Sequence, residues 1–403
     1  MTLDANMTRR AFVATATSVA AGMGLALSGC SSEATSAPSS EEAGNRVESA
    51  AGGVASDSAP ASSAQETGVD GVVTEVVERD AMGSPDACDV RVGLIMGPPS
   101  MGLTQLITAA DAGVTTNHFT FEFNDVDYVG LSAKFNQGDY DIVTLPSNIG
   151  PILYNNQELK NRYQVIAVNN LGVLYCLTTD PSIASLADLA GRRVYSYGEG
   201  GTPEYTIEAL LKKDGLDGQF NLEFKSTPFE ILNLLQQEEN CVAILPQPFV
   251  SLSKLMVDPL YVPIDITDEW NAAFSDTGSQ AVTTTTIVNR AFAEGHEQAV
   301  LEYLQLNCSS VAWSLDNMED AAALQEELGT FMNNDVALDA MPHISMVCLT
   351  GEAMKRALSG FLEELYAANP DSIGGAVPEA DFYYMPPLGS IDDDSVGADR
   401  AHS

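Results

Sequence analysis

The sequence predicts an α/β protein with two lobes, each built on a parallel-rich sheet with helices on both faces, and a hinge between the lobes. Two observations support this fold class. From residue 90 onward, short strand patterns alternate with amphipathic helix patterns, which is typical of parallel sheets covered by helices. Two further runs, residues 163–179 and 280–288, are too long for ordinary strands, and we interpret them as crossings between the lobes.

The elements follow in order along the chain. Strand patterns occupy residues 90–97, 118–123, 140–146, 163–179, 192–198, 221–227, 241–248, 261–267 and 280–288. Helix patterns occupy residues 101–112, 128–137, 148–156, 203–213, 229–238 and 249–256, and only helices are expected after 288. Crossings near Gly172 and Gln280 give lobe 1 residues 89–172 and 281–385, and they give lobe 2 the continuous segment 173–280.

The N-terminus has the features of an export signal over residues 1–29. Arg9 and Arg10 precede a mainly apolar run from 13 to 27, which favours twin-arginine export and leaves the general secretory route open. The run ends in Leu-Ser-Gly-Cys, which is similar to a lipobox, so Cys30 is the predicted lipidation site. Because the run is shorter than the ~20 residues that span a bilayer, we expect a lipid anchor and not a transmembrane helix.

Two terminal segments are predicted to be disordered. Residues 30–88 begin with the lipidated cysteine, are rich in Ser, Ala, Gly and Glu, and contain no aromatic residue. Such a composition buries too little apolar surface to offset the entropy of ordering, so we interpret this segment as a tether. Residues 386–403 are acidic and contain proline, and we expect a disordered tail there.

Charge and cysteine content narrow the function classes. The chain has 56 acidic and 18 basic residues, a net charge of −38, which argues against binding nucleic acid or an anionic lipid surface through charge. Besides Cys30 there are five cysteines, and none of them forms a C-x-x-C pair. Cys176 and Cys241 lie in apolar runs and are expected to be buried thiols, and a disulfide is disfavoured.

Four strand-to-helix joints carry small, turn-forming or polar residues. They are GPPSMG at 97–102, LPSN at 145–148, GEGGTPE at 198–204 and LPQP at 245–248. Ligands bind outside the carboxyl ends of parallel strands, where helix N-termini present unpaired N–H groups. A tight turn explains any one joint better than a ligand site does, but four joints, two in each lobe, predict the floor of a cleft.

The sequence has no motif for nucleotide binding, for a serine nucleophile or for a metal site. GEGGTPE lacks the Gly-Lys-Ser/Thr of a phosphate-binding loop and the glycine spacing of a dinucleotide site, and no G-x-S-x-G sequence is present. The four histidines, at 118, 296, 343 and 402, have no metal-ligand spacing, so we predict structural or surface roles for them. We therefore predict no metal and no cofactor.

Glu199 bears on the charge of the ligand. No basic residue lies in the four joints, so an anionic ligand would depend on helix-end N–H groups. A Glu199 side chain that faces the cleft would repel an anion and attract an amine, whereas one that points to solvent would do neither. The sequence leaves both orientations open.

A series of motifs extends over residues 90–384: GPPSMG, YDIVTLPSNIGPILYN, VNNLGVLY, SLADLAGRRVYSYGEGGTPEY, VAILPQPFV, GEAMKRALSGFLEELYAANPDSIGG and DFYY. In this order they resemble the type II-like periplasmic binding proteins, grouped with the sulfonate, taurine, nitrate and thiamine-precursor binders of ABC importers. The resemblance implies two lobes that close on a solute. By matching motif, it also implies a set of ligand-facing residues: Pro98, Ser100, Met101, Ser147, Asn148, Gly200, Thr202, Pro203 and Gln247. Glu199 departs from the uncharged or basic residue common in such relatives, which argues against a sulfonate or another anion.

These features predict an extracytoplasmic, lipid-anchored monomer, not an enzyme, that delivers a small organic solute to the permease subunits of an ABC importer. A tethered sensor of the same solute is an alternative that sequence does not separate from transport. A less favoured alternative is an enzyme, because some proteins of this architecture resemble menaquinone-pathway or pyrimidine-making enzymes. Export, and the lack of a convergent acid, base or nucleophile set in the sequence, argue against an enzyme.

Overall fold

A computed structural model describes residues 87–124, 127–159, 161–330, 333–392 and 394–400. The predicted export signal, the predicted lipidation site Cys30 and all of the predicted tether before residue 87 lie outside these described residues.

Twelve strands of the described residues form two sheets. The seven-stranded sheet contains β1 (Asp89–Leu94), β2 (His118–Phe123), β3 (Ile142–Pro146), β4 (Tyr163–Asn170), β10 (Thr284–Asn289), β11 (Met346–Leu349) and β12 (Ser395–Val396). The five-stranded sheet contains β5 (Leu174–Thr178), β6 (Arg193–Tyr197), β7 (Asn221–Lys225), β8 (Val242–Pro246) and β9 (Tyr261–Asp265). The chain thus crosses to the second sheet between Asn170 and Leu174 and returns between Asp265 and Thr284.

Thirteen α-helices of the described residues cover the sheets. They are α1 (Pro98–Met101), α2 (Thr104–Asp111), α3 (Tyr128–Gln137), α4 (Ile149–Asn155), α5 (Thr202–Lys213), α6 (Pro228–Gln237), α7 (Phe249–Met256), α8 (Ile266–Ala273), α9 (Arg290–Gly295), α10 (Glu297–Asp316), α11 (Met318–Leu328), α12 (Asn334–Ala340) and α13 (Gly351–Ala368). Local sequence sets several of their ends. Asp127 and Thr227 accept N–H bonds as N-caps of α3 and α6, and Gly138 ends α3 in the left-handed conformation.

The predicted α/β class with two helix-flanked sheets is confirmed, but both sheets are mixed and not parallel-rich. The strand orders are β12-β11-β4-β10-β3-β1-β2 and β7-β6-β8-β5-β9. β1 is parallel to β2 and β3, and β6 is parallel to β7 and β8, whereas β10, β4, β11 and β5 pair antiparallel. Of these strands, β5 and β10 enter their sheets through the crossings and not through a strand-helix-strand unit, so the alternating pattern gave no sign of their direction.

The two crossings run side by side. Thr283 donates its N–H to the carbonyl of Asn170 at 3.0 Å and its hydroxyl to the carbonyl of Leu171 at 2.6 Å. Gly172 packs so closely on Thr267 that any Cβ at 172 would overlap its side chain. The long run 163–179 is therefore two strands, β4 and β5, that belong to different sheets.

Three predictions about local structure are wrong. The single helix expected at 101–112 is two helices, α1 and α2, separated at Gly102 and Leu103. The segment after 288 is not only helical, because β11 and β12 lie within it. Cys88, which was assigned to the tether, donates its N–H to Asn117 Oδ1 at 3.1 Å and belongs to the folded part.

The C-terminal segment 386–403, which the sequence predicts to be disordered, is folded over most of its length. β12 pairs antiparallel with β11, the N–H of Thr350 donates to the carbonyl of Asp394 at 2.9 Å, and Arg400 pairs with Asp316. Ile391 and Val396 pack against apolar clusters of the seven-stranded sheet. The burial of these two apolar side chains and the pairing with the open edge of β11 order the segment despite its acidic composition, on which the prediction of disorder depended.

A disulfide joins Cys308 of α10 to Cys348 of β11, against the expectation that none forms. No local pattern indicated this bond, because the two cysteines are 40 residues apart and share no short motif. Cys176 and Cys241 are buried free thiols, as predicted. Burial raises the pKa of both thiols to about 12, so they stay protonated and unreactive.

One apolar core extends over both sheets, and within it α13 packs against β4 of the seven-stranded sheet and against α5 and α8 of the other half. Leu358, Phe361 and Leu362 of α13 are fully buried in a cluster that includes Val165 and Val168 of β4. The same cluster includes Ile207 and Leu210 of α5, and the rings of Phe361 and Trp270 of α8 are 5.0 Å apart. Below, this contact of α13 with both halves of the fold is called the spine.

Candidate functional site

The four predicted joints leave the two sheets at their carboxyl edges. β1 and β3 are parallel neighbours, so the joints at 97–102 and 145–148 leave the seven-stranded sheet at one edge. β6 and β8 are parallel neighbours, so the joints at 198–204 and 245–248 leave the five-stranded sheet at one edge. This is the arrangement in which open sheets bind ligands.

The joints that follow β3 and β6 contact each other directly. Thr202 donates its hydroxyl to Asn148 Oδ1 at 3.1 Å, and its Oγ1 lies 3.2 Å from Ser147 Oγ. Asn148 Nδ2 donates to the carbonyl of Gly200 at 3.3 Å. Ser147 and Asn148 are fully buried, and Thr202 is 2% exposed. Four predicted ligand residues thus form one hydrogen-bonded group, called the joint network below.

The joint network is tied to two further parts of the chain. Ser147 donates its hydroxyl to the carbonyl of Val282, just before β10, at 2.5 Å. Asn148 Nδ2 also donates to the carbonyl of Ser372, just after α13, at 3.3 Å. Both partners contribute only backbone atoms, so no side-chain pattern in the sequence could have identified them.

Glu199 is exposed. The acid at the start of α5 is instead Glu204, whose carboxylate accepts the N–H of Gly200 at 2.5 Å. Burial raises the pKa of Glu204, and the charges of Glu208 and Glu199 raise it further. A carboxylate of the chain therefore already uses one N–H group that an anionic ligand would need at this joint.

Tyr128 is a site residue that the sequence reasoning missed. It begins α3, and its hydroxyl donates to the carbonyl of Glu199 across the two sheets at 2.5 Å. Burial raises the pKa of Tyr128, and the negative charge of Glu204 adds to the effect. A signal was present, because Asp127 is an N-cap residue type in the joint that follows β2.

The 97–102 joint makes its hydrogen bonds within the seven-stranded half of the fold. Gly97 has a φ of 106°, which favours glycine, and Ser100 donates its hydroxyl to the Gly97 carbonyl at 3.0 Å. Met101 is fully buried, and its carbonyl accepts a hydrogen bond from Gln325 Nε2 at 3.3 Å. Of the three predicted ligand residues here, only Pro98 is half-buried and partly accessible.

Gln247 and Pro203 complete the predicted set. Gln247 is 1% exposed, and its Oε1 accepts hydrogen bonds from the N–H and hydroxyl of Ser251 at 3.2 and 3.0 Å. Its N–H donates to the carbonyl of Val173 in the first crossing at 2.9 Å. Pro203 is half-buried in the first turn of α5 and packs on Gly198. The structure therefore joins Ser147, Asn148, Gly200 and Thr202 by hydrogen bonds, whereas Gln247 bonds to Ser251 of the following helix and to Val173 of the first crossing.

Two surface cavities lie away from the joints. One of about 310 Å³ is lined by Arg193, Tyr195 and Glu238, and one of about 540 Å³ is lined by Thr179, Asn240 and Met256. Arg193 begins β6, so the first cavity is at the amino edge of the five-stranded sheet, opposite the joints. We place the candidate site at the joints because ligands bind at carboxyl edges and because polar groups of both sheets converge there.

Within the described residues, no three His, Cys, Asp or Glu side chains are grouped so that they could hold a metal ion. In the same part of the chain, no helix has both the length and the apolar character that crossing a bilayer requires.

Solved structures show the fold. An ABC transporter protein from Parabacteroides distasonis superposes with a TM-score of 0.59 at 20% identity, over 73% of this chain and 98% of that chain. The periplasmic aliphatic sulphonate binding protein SsuA of Escherichia coli gives 0.58 at 16% identity, over 74% and 96%. The alkanesulfonate-binding protein SsuA of Xanthomonas axonopodis pv. citri, bound to MOPS, gives 0.56 at 12% identity, over 76% and 99%.

No family model and no curated protein matches the sequence. The chain has the fold of the periplasmic binding proteins of ABC transporters, which is the fold that the sequence resemblance implies.

Proposed function

We propose that this chain is an extracytoplasmic, lipid-anchored solute-binding protein that delivers a small organic solute to an ABC importer and is not an enzyme. The observation that carries the proposal is the joint network, in which side chains from the carboxyl edges of two sheets meet in a fold of the periplasmic binding protein type. Buried hydroxyl and amide groups at this position can exchange their mutual hydrogen bonds for bonds to a solute.

The test is a thermal-shift screen of the full chain carrying Cys30→Ala, which removes the predicted lipidation site and leaves the described residues unchanged. Sulfonates, nitrate, pyrimidines, amines and short peptides are the compounds. A ligand at 100 times its Kd stabilises the folded state by about 2.7 kcal/mol, a readily measured shift. Thr202→Val should reduce the shift, and Thr206→Val, a buried threonine one turn further along α5, should not. Absence of any shift, or equal shifts in both variants, would contradict a solute site at the joint network.

The charge of the solute is proposed to be neutral or positive, because Glu204 takes the N–H of Gly200. Glu204→Gln should therefore weaken binding of an amine and improve binding of a sulfonate, whereas Glu199→Gln should change both little because its side chain is exposed. Calorimetry with one amine and one sulfonate decides the point. Tight sulfonate binding that Glu204→Gln leaves unchanged would contradict this charge preference.

Lipid anchoring is proposed from the lipobox-like sequence that ends at Cys30. Metabolic fatty-acid labelling should mark the wild-type chain and leave Cys30→Ala unlabelled. A Cys88→Ala variant controls for labelling at another accessible cysteine, since Cys88 is partly exposed. Equal labelling of the wild type and Cys30→Ala would rule out this anchor.

A further inference from the structure

A stripe of four polar residues follows one side of α10: Tyr303, Asn307, Ser310 and Ser314. Their spacing of four, three and four residues brings them to the same side of the helix. Each of the four is at most 1% exposed, and Leu304 beside them lies in an apolar cluster. Polar groups buried in this way need hydrogen-bond partners, because they have given up their bonds to bulk water.

The C-terminal half of the stripe finds its partners on α2. The N-cap position of α2 is Leu103, whose side chain has no atom that accepts a hydrogen bond. Ser310 Oγ takes over this role and accepts the N–H of Gln105, in the first turn of α2, at 3.0 Å. Ser314 Oγ lies 3.5 Å from the hydroxyl oxygen of Thr104. Helix α10 thus caps α2, the helix that follows the 97–102 joint, and both serines are satisfied by doing so.

The N-terminal half of the stripe has no such partners. Among the described residues, no group hydrogen-bonds to Asn307 Oδ1, to Asn307 Nδ2 or to the Tyr303 hydroxyl. Burial raises the pKa of Tyr303, and Thr286 of β10 partly offsets the rise, so the two hydroxyls lie near each other. Thr286 already donates its hydroxyl to Asn169 Oδ1 of β4 at 2.8 Å. Three polar atoms of α10 are therefore fully buried and unsatisfied by the described part of the chain.

The chemistry of these atoms selects the kind of molecule that could satisfy them. Asn307 offers an acceptor and a donor group side by side, and the Tyr303 hydroxyl can do either. A cation would use only the Asn307 oxygen and an anion only the nitrogen, so each would leave one atom of the amide unpaired. Water donates and accepts at once, and it is small enough for a place from which both side chains are fully screened from solvent.

We propose that α10 carries an internal water site at Asn307 and Tyr303, in which ordered water accepts from Asn307 Nδ2, donates to Asn307 Oδ1 and links the amide to the Tyr303 hydroxyl. The stripe is then satisfied along its whole length, by α2 at one end and by water at the other. The site lies away from the joint network, and it does not depend on the proposed function.

A crystal structure of the chain at a resolution that shows ordered solvent tests the site directly. A water peak is expected about 2.7–3.2 Å from the Asn307 amide. Asn170 is the matched control, because it is equally buried but has protein partners: its Nδ2 donates to the carbonyl of Ile344, and its Oδ1 accepts from Thr284. No solvent peak is expected at Asn170. An empty or ion-filled site at Asn307 would overturn the proposal.

Denaturant unfolding of variants tests it in solution. Asn307→Leu should lower the ratio of folded to unfolded chain about tenfold, because it removes the bonds to water and leaves the Tyr303 hydroxyl unpaired. If the amide were unpaired in the wild type, a leucine of similar size would raise that ratio instead, and a rise would therefore refute the site. Tyr303→Phe should also destabilise the chain. The double variant should lose less than the two single variants together, since both act on the same water. Additive losses would mean that no water links the two side chains.

Discussion

The spine and the joint network hold the same two sheets together by different physical means. The spine buries rings and aliphatic side chains of α13, α5 and α8 in one continuous core. The joint network instead connects hydroxyl, amide and carbonyl groups of Ser147, Asn148, Gly200 and Thr202. Apolar burial is not directional and is lost only when water enters, whereas a hydrogen bond can be exchanged for another of similar strength.

This difference indicates how a single chain keeps two halves together and still presents a site between them. A contact that a solute must replace has to be polar, because a polar group of the solute can then satisfy the partner that it displaces. A contact that must persist during binding is better made of buried carbon.

Phe361→Ala should have the largest effect. Removing a fully buried ring from the spine should lower the free energy of unfolding by about 3–5 kcal/mol, as measured by denaturant unfolding. Phe135→Ala is the matched control, since Phe135 is equally buried but packs with Tyr163 inside the seven-stranded half. Hydrogen exchange should show lost protection in both halves for Phe361→Ala and in one half for Phe135→Ala. The same pattern in both variants would contradict the role of the spine.

Removal of the Cys308–Cys348 disulfide should come next. The bond ties α10 to β11, the strand that leads into α13, and it closes a loop of about 40 residues. Loss of such a loop constraint should lower the free energy of unfolding by about 2–4 kcal/mol in Cys308→Ala combined with Cys348→Ala. A reducing agent should destabilise the wild type by a similar amount and leave the double variant unaffected. If the reductant has no effect on the wild type, the bond does not form in solution.

The fold was more predictable than the contacts between its halves. Period-two and helical patterns located nearly all strands and helices up to residue 288, because each element carries its own apolar periodicity. The prediction missed β12 because a strand of two residues shows no periodicity. This strand forms because the edge of β11 is open for pairing and because Ile391 packs nearby. The disulfide was missed for a similar reason, since the fold alone brings two cysteines 40 residues apart together.

The candidate site was predictable where residue type follows from local geometry. Small and polar residues at strand-to-helix joints pointed to Ser147, Asn148 and Thr202, which the structure links by hydrogen bonds. Residue type did not reveal that Ser100 bonds inside its own joint, nor that the exposed acid is Glu199 and the half-buried one is Glu204. Side-chain direction depends on packing from distant parts of the chain, which a local pattern does not contain.

Thr202→Val should have an intermediate effect and would test the polar side of the comparison. The change removes the hydroxyl that donates to Asn148 Oδ1 and leaves that buried acceptor without its partner. The expected loss in the free energy of unfolding is about 1–3 kcal/mol, measured by denaturant unfolding. Thr206→Val on the same helix is the control. Because Thr206 takes part in none of the hydrogen bonds of the joint network, we expect no similar loss there. Equal losses in the two variants would mean that the joint network adds no stability of its own.

The ion pair between Lys254 and Asp339 should have the smallest effect, and that effect should depend on pH. The Ser251 hydroxyl and the Lys254 ammonium hold the pKa of Asp339 below its usual value of 3.8, with a smaller contribution from His343. A carboxyl group whose pKa is lower in the folded state stabilises the fold above its unfolded pKa, and this contribution is lost as the pH falls through the folded pKa.

A double-mutant cycle of Asp339→Asn and Lys254→Gln isolates the pair. At pH 6 the coupling energy should be about 0.2–1 kcal/mol, because both side chains are more than one-third exposed and solvent screens their charges. The coupling should fall toward zero as the pH drops below about 4, where Asp339 becomes protonated, and 1 M salt should reduce it at pH 6. A coupling that survives both low pH and high salt would mean that α12 is held to α7 by packing around Leu252 and not by charge, and the contact between these two helices would then belong with the apolar contacts of the spine.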